Sequence, residues 1–357
     1  MNKQIQQDVP FRRDTKSLQL PPGNLFLQLM TAKALAKIHK ITLLDVAAFM
    51  WPNDRAIHEF VTKASSAPAM TTVAGWAQEL AQRYVVDMIN ALGAASAAID
   101  VLRQSLVLIW DGHGILAAPS FVAAAGNGSF VQEGNPIPVR QLASTAVLVQ
   151  PYKVASIAVL SREMLESSNA EVLIGDTLIK SAALAIDAVF FGSAAATAAA
   201  PAGIRNGVST LTPSSSTDPF GAVFEDVGAL VGAVSAVGGK GPYVIAGSPG
   251  RITSMRMRFD PDADDYITYA MSNAVGNDLI TIAPQGIVAA FSADPDVETA
   301  DTGTLVMDNA APGTPGQTGA SERGLFQTDS IALKIRWPVS WMVRDSRAVA
   351  YLTPTWK

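Results

Sequence analysis

The sequence predicts an α+β chain, and three observations carry that reading. Amphipathic helical patterns occupy two stretches in the first third and two more between residues 169 and 237. Runs of β-branched residues bounded by glycine and proline begin after residue 119 and return after 242. A strictly alternating segment, 330–337, closes the pattern. No internal repeat is present. At 357 residues the chain is long enough for two domains and for a large core without disulfides.

The first helical run is 25–50, with apolar residues at Leu25, Leu29, Ala32, Leu35 and Ile38 and with Lys33, Lys37 and Lys40 on the other side. Trp51-Pro52 ends it, because the residue before proline disfavours the helical region. A second run spans about Thr72 to Arg103, weakened by Gly93. At Pro119 the character changes. From Ser120 to Leu160 come β-branched residues with Gly126-Asn127-Gly128 and Gly134-Asn135-Pro136 as turns, and Ser144–Leu160 is strand-like. Such a two-stranded excursion has too little core to stand alone and is expected to lie on a neighbour.

The clearest helix follows. Asn169 is a candidate N-cap, Glu171 suits the positive end of the helix dipole, and Gly192 suits the residue after the C-cap. Ile174, Leu178, Ala182, Ile186 and Val189 form its stripe. A loop rich in alanine, serine, threonine and proline runs from Ala194 to Pro219. Residues 220–237 form another helix stopped by Gly238-Gly239. Tyr243–Ala246 reads as a buried strand, and Pro249 opens the helix carrying Arg251–Phe259. Strands are expected at Leu279–Ala283 and Gly286–Phe291, and a loop at 308–322. In Ser330–Trp337, Ile331, Leu333, Ile335 and Trp337 share one face and Ala332, Lys334 and Arg336 the other.

Composition narrows the function. There is no cysteine, which excludes thiolate chemistry, disulfides and Cys-ligated zinc, and there are three histidines, His39, His58 and His113. Charged residues make up 16%, against roughly 25% in an ordinary soluble domain. So few charges point to a surface covered by other chains, in an obligate assembly. The most apolar stretches, Val85–Trp110 and Ala182–Ala202, are interrupted by Asp87, Asp100, Arg103 and Asp187, so no membrane span is expected. The amino terminus carries Asp8, Arg12, Arg13 and Asp14 where a signal peptide needs apolar residues, which points to a cytoplasmic, soluble protein. Residues 1–63 hold nine basic and five acidic residues, a balance of +4. Residues 255–325 hold three and eleven, a balance of −8. The first segment suits phosphate contact, although two ordinary solvated faces explain the same counts.

Catalytic motifs fail on inspection. Ala246-Gly247-Ser248-Pro249-Gly250 has the form of a nucleophile elbow, but Ala246 stands where the first glycine belongs and no histidine follows His113. Gly238-Gly239-Lys240-Gly241 lacks the first glycine of a phosphate loop, Val234 standing there, and lacks the hydroxyl residue after the lysine. Asp260, Asp262 and Asp264 have calcium-loop spacing, yet Asp265 and Met271 replace the required glycine and glutamate. Asp111-Gly112-His113-Gly114 reads as a structural turn. No enzyme, cofactor or metal is expected.

From Ala98 onward the order of elements resembles the major capsid proteins of tailed bacteriophages, of the Hong Kong 97 type. Ser129–Pro138 (SFVQEGNPIP) is similar to that family's E-loop. Val159–Glu166 (VLSREMLE) and the 169–192 helix, ending Asp187-x-x-Phe190-Phe191-Gly192, resemble its spine. Ala200–Gly207 (APAGIRNG) resembles the Pro-x-Gly-Ile loop after the spine, Tyr243–Phe259 the strand and helix of the axial domain, and Phe326–Leu352 the closing strands.

The resemblance implies an N-terminal helical region and arm over 1–118, an E-loop hairpin over 119–157, a peripheral domain with a long spine helix over 158–206, an axial domain over 207–305 and closing peripheral strands over 306–357. It implies a subunit of an icosahedral shell, built from hexamers and pentamers of itself and packaging double-stranded DNA. Portal, scaffold, maturation protease and decoration proteins are the family's further partners. The location implied is the virion capsid, assembled in the host bacterial cytoplasm without a membrane.

Glu133 and Arg140 become candidates for inter-subunit ion pairs, and Gly134, Arg162 and Arg344 for interface positions. Trp110, Trp337 and Trp341 are either apolar anchors or ordinary core. Arg12, Arg13, Lys33 and Lys37 are the DNA-facing candidates. Some family members cross-link through an E-loop lysine. No lysine occurs between Arg103 and Lys153, so a non-covalent shell is expected. An encapsulin-like compartment is the alternative within the shell class, and an α/β hydrolase the alternative outside it.

Overall fold

The computed structural model describes residues 25–64, 92–93, 95–110, 114–119, 131–133, 146–163, 170–258, 266–292, 296–306 and 322–356. The 72–91 part of the second helical run, residues 111–113 of the turn before Gly114, most of the 120–145 part of the Ser120–Leu160 excursion, the Asn169 cap, the aspartates 260–264 and the 308–321 loop lie outside them. Helices α1 (Leu25–His39), α2 (Leu43–Met50) and α3 (Arg55–Ala64) come first. Helix α4 (Ala97–Gln104) leads into β1 (Leu106–Trp110), followed by β2 (Leu116–Pro119), β3 (Ala146–Val149) and β4 (Lys153–Ser161). Then come α5 (Ala170–Phe190), α6 (Pro219–Gly238), β5 (Tyr243–Gly247), α7 (Pro249–Arg256), β6 (Ile267–Met271), β7 (Leu279–Ile282) and β8 (Ile287–Ser292). Strands β9 (Asp296–Ala300), β10 (Thr304–Val306), β11 (Glu322–Gly324), β12 (Ser330–Val343) and β13 (Val349–Leu352) complete the order. The fold is α+β.

The chain forms two compact units. The first takes Met1–Ala91, Ala155–Ala182 and Asp294–Trp337, the second Leu92–Val154, Ala183–Ala293 and Pro338–Lys357.

In the first unit the expected single run 25–50 is two helices. Lys40 adopts φ 52°, and Thr42 caps α2 by accepting the Asp45 N–H at 3.2 Å. A β-branched hydroxyl residue three positions before an aspartate restarts the helix. Leu25, Leu29, Ala32, Leu35 and Ile38 are all buried, as the periodicity requires. The first half of β12 pairs antiparallel with β9, Leu333 opposite Thr299 and Ile335 opposite Val297, and β4 is its other neighbour. Ile331, Leu333, Ile335 and Trp337 are buried and Arg336 is exposed, but Ala332 is buried as well.

In the second unit a four-stranded sheet has the order β13-β7-β5-β6. Strand β5 runs parallel to β6 and antiparallel to β7, and β13 runs antiparallel to β7. Every residue of β5 is buried. Val223, Val227, Leu230, Val234 and Val237 of α6 join Tyr243, Ile245, Leu279 and Leu352 in one core. Asp218 opens α6 by accepting the Gly221 N–H at 2.9 Å, and Pro219 occupies the first turn. Gly239, at φ 54°, closes it by donating to the Ser235 carbonyl at 2.9 Å, the stop that the glycine pair predicts.

By length and composition α6 alone among the described helices could cross a membrane. Its buried stripe packs on the unit's own sheet, and the buried Asp226 accepts from Trp356 Nε1 at 2.8 Å and from the Ser214 N–H at 2.6 Å. It is a core helix. Separately, β1 runs parallel to β8, which runs antiparallel to the second half of β12.

The buried line on α5 runs through Leu178, Ala182, Ile186 and Phe190, so the stripe ends on Phe190 and not on the half-buried Val189. Beside it in the second unit lies Asp187, 4% exposed. Its Oδ1 accepts from Ser96 Oγ at 2.5 Å and from the Ala98 N–H at 3.0 Å. Its Oδ2 accepts from Ser272 Oγ at 2.6 Å and from the Ala97 N–H at 3.3 Å. Ser96 is also the N-cap of α4, receiving the Ile99 N–H. The carboxylate thus faces the positive end of α4 with all four donors converging on it. Removing it strands two hydroxyls and two N–H groups, each costing roughly 1–3 kcal/mol with partial overlap. Asp187→Ala is expected to lower stability by about 2–4 kcal/mol, read as a fall in urea midpoint by tryptophan fluorescence. Ser272→Ala, which leaves three donors in place, is expected to cost about 1 kcal/mol.

Candidate subunit interface

In the second unit the segment after α5 folds back on the helix end. Ile204 N–H donates to the Phe190 carbonyl at 2.9 Å and Arg205 N–H to the Gly192 carbonyl at 3.2 Å. Gly203 lies so close that an added Cβ would overlap the Gly192 carbonyl. That contact explains the glycine of Pro201-Ala202-Gly203-Ile204. Arg205 donates through Nε to the Phe191 carbonyl at 2.7 Å and pairs through Nη1 with Asp278, whose other oxygen accepts from Thr353 Oγ1 at 2.5 Å. Trp341 Nε1 donates to the Ala202 carbonyl at 2.9 Å, and its ring meets Phe190 edge-on at 5.3 Å.

The three tryptophans are buried in the chain's own core. Trp110 is 4% exposed among Ala118, Val149, Val288 and Ala290, and Trp337 and Trp341 are also buried. Arg162 grips Asp329 within the first unit, Nε lying 3.0 and 3.2 Å from the two carboxylate oxygens and its N–H donating to the Asp329 carbonyl at 3.1 Å. Arg344 N–H donates to the Gly286 carbonyl at 2.7 Å. Glu133 is exposed. Gly134, Arg140, Arg12 and Arg13 lie outside the described residues.

Lysines of α1 face acidic groups of the same unit. Lys37 Nζ is 3.6 Å from Asp301, and Lys33 contributes to the field at Glu298. Glu298 is hydrogen-bonded by Lys334, which holds its carboxyl below the usual range. In the second unit Asp345 caps a short turn, accepting the Arg347 N–H at 2.9 Å and the Arg347 guanidinium. Those bonds hold its carboxyl below the usual carboxylate range. Asp100 moves the other way, raised by burial.

A groove of about 520 Å³ in the second unit is lined by Leu148, Tyr152, Pro201, Asn206, Ser340 and Met342 among others. Its lining contains no histidine, carboxylate, lysine or arginine. Ser248 does sit between a strand and a helix, but the two described histidines, His39 and His58, belong to the other unit. Among the described residues no cluster of three acidic or histidine side chains is placed to hold a metal. The buried network of Asp187 had one sequence signal, a lone acid between apolar positions of a helix stripe.

No family model matches the chain. It is 25% identical to the capsid polyprotein of Pseudomonas phage PAJU2 over 380 residues, covering 96% of this chain. That relative is a phage capsid protein. The chain spans 55% of its length. The resemblance to phage capsid proteins read from the sequence therefore stands. Among solved structures, a chain of Mycobacterium phage Adephagia is 13% identical with a TM-score of 0.49, covering 74% of this chain and 91% of its own. A chain of Mycobacterium phage Bobi is 14% identical at 0.47, covering 84% and 98%. A chain of the satellite phage P4 procapsid with its size determination protein is 10% identical at 0.47, covering 85% and 99%.

Two substitutions test the geometry. Gly203→Ala is expected to lower the urea midpoint by an amount equivalent to about 2 kcal/mol, since the backbone on both sides must shift. Asp345→Asn keeps a cap acceptor and removes the titration. With its folded pKa depressed, Asp345 contributes stability above its ordinary pKa and loses it as pH falls. The variant is therefore expected to lose less stability than the parent between about pH 5 and pH 3, measured by urea titration at each pH.

Proposed function

We propose that the chain is the shell-forming subunit of a tailed-phage capsid, assembling with copies of itself into hexamers and pentamers around double-stranded DNA. The observation that carries this reading is similarity to a phage capsid polyprotein over 96% of the chain. The composition supports it, since 16% charge suits a surface that neighbouring copies cover. So do the exposed apolar side chains Leu184 and Ile115 in the second unit, which burial against a copy would remove from water.

On this reading the role is structural and not enzymatic, and the location is the virion. Residues 119–157 act as the E-loop, 158–206 carry the spine, 207–305 form the axial domain, 306–357 supply the closing strands and 1–118 the arm. Glu133, Gly134, Arg140, Arg162 and Arg344 face neighbouring copies. Arg12, Arg13, Lys33 and Lys37 face DNA non-specifically, and Lys37 would exchange Asp301 for phosphate.

Electron microscopy of the purified full chain is expected to show closed shells or rings of five and six. A protein that remains monomeric at all concentrations, with or without its phage partners, contradicts the proposal. Boiled in detergent, assembled particles are expected to run as single chains on a denaturing gel, because 104–152 offers no lysine for a cross-link. A ladder of covalent multimers contradicts that part.

A further inference from the structure

One end of the second unit, where the start of α6, the last turn of α7 and residues 354–356 meet, carries arginines stacked on aromatic rings. Arg251 lies 5.3 Å from the Trp356 ring centre, Arg258 lies 5.9 Å from it and 5.6 Å from Phe220, and Arg256 lies 5.5 Å from Tyr269. The base of the stack is fixed, because Trp356 is buried and donates its indole N–H to Asp226. Arg251 also reaches the carbonyls of Pro354 and Trp356 at 3.5 Å. Around the arginines apolar surface is left in water, with Met257 82%, Phe220 55% and Phe224 53% exposed.

A guanidinium held by its face keeps its N–H edges directed outward for carboxylates, and its side-chain freedom is already reduced before a partner arrives. Arginine, methionine and aromatic residues are also the types that concentrate in the cores of protein interfaces.

The sequence supplies the complement directly afterwards. Asp260-Pro261-Asp262-Ala263-Asp264-Asp265 places four carboxylates after three arginines. A ring of identical copies joined head to tail needs two complementary surfaces on each copy, and 251–265 contains both signs of charge. We propose that this arginine–aromatic face is a contact between copies and receives the acidic segment 260–265 of a neighbouring copy. Arg256 binds its carboxylates, and Met257, Phe220 and Phe224 supply the apolar contact. The inference rests on the assembly reading above and names the contact that closes its rings.

The test uses full-length chains and mixing. Arg256→Glu and, separately, Asp262→Arg with Asp264→Arg are each expected to weaken ring or shell formation by about tenfold or more in apparent association constant, read by light scattering at low salt. Mixed in equal amounts, the two variants are expected to recover rings of six, in which they can alternate so that each presents the charge that the other lacks. Circular dichroism and urea midpoints establish that each variant folds. Should Arg256→Glu fail to fold, Arg256→Gln is expected to shift assembly to lower salt.

Particles of the parent chain together with variants that assemble equally well overturn this contact and leave the assembly reading intact. Variants that assemble normally but lose retention on heparin overturn it in favour of a phosphate-binding face. Single variants that are merely less stable, with no recovery on mixing, overturn it in favour of pairing within one chain. A parent chain that never assembles overturns both readings.

Discussion

Asp187 is a charge placed where the fold allows none unless it is fully satisfied. The helix that carries it ends in Phe190 and Phe191, both buried, so the carboxylate cannot turn to solvent without dragging aromatic core with it. Its donors come from the start of α4 and from Ser272, whose own N–H donates to the Gly247 carbonyl at the end of β5. One side chain therefore ties the helix end, the first turn of α4 and one end of the β13-β7-β5-β6 sheet together. The loop through Gly203 is seated on the same helix end by backbone bonds to Phe190 and Gly192. Placement of Arg205, Trp341 and Asp278 follows from there.

The second constraint is the shortage of charge. Within a unit, the ion pairs that form are mostly exposed, such as Lys37 with Asp301 and Lys334 with Glu298, and exposed pairs contribute little to stability. Stability comes instead from apolar packing of α6 on its sheet and from a few satisfied buried polar groups, Asp187 and Asp226 above all. What remains outside includes apolar side chains such as Leu184, Phe224 and Met257, which the proposed covering of like copies would remove from water.

Much of this was legible from the sequence where local rules decide. The Gly239 stop, the Pro249 start, the buried strand at Tyr243–Ala246 and the alternation over 333–337 follow from turn chemistry and periodicity, while the buried Ala332 breaks the alternation at its start. The break at Lys40 was not, because a left-handed lysine has no composition signal and the Thr42 cap is hidden inside an apolar run. Strand β1 has no local signal either, since its five apolar residues continue a helical stretch without a glycine or proline between them. Of the candidate site residues, the tryptophans went to the core, as their large apolar surface favours. The Arg256 face was invisible beforehand, because its aromatic partners lie at residues 220, 269 and 356 and only the folded chain brings them together.

The central claim is that copies of this chain cover the apolar surface that a single copy leaves in water. A cryo-electron microscopy reconstruction of the purified particle tests it most directly. The expected result is a closed shell in which Leu184, Phe224 and Met257 lie at contacts between copies while the β13-β7-β5-β6 sheet is retained. A particle in which those side chains face solvent, or a sample with no particle at all, would contradict it.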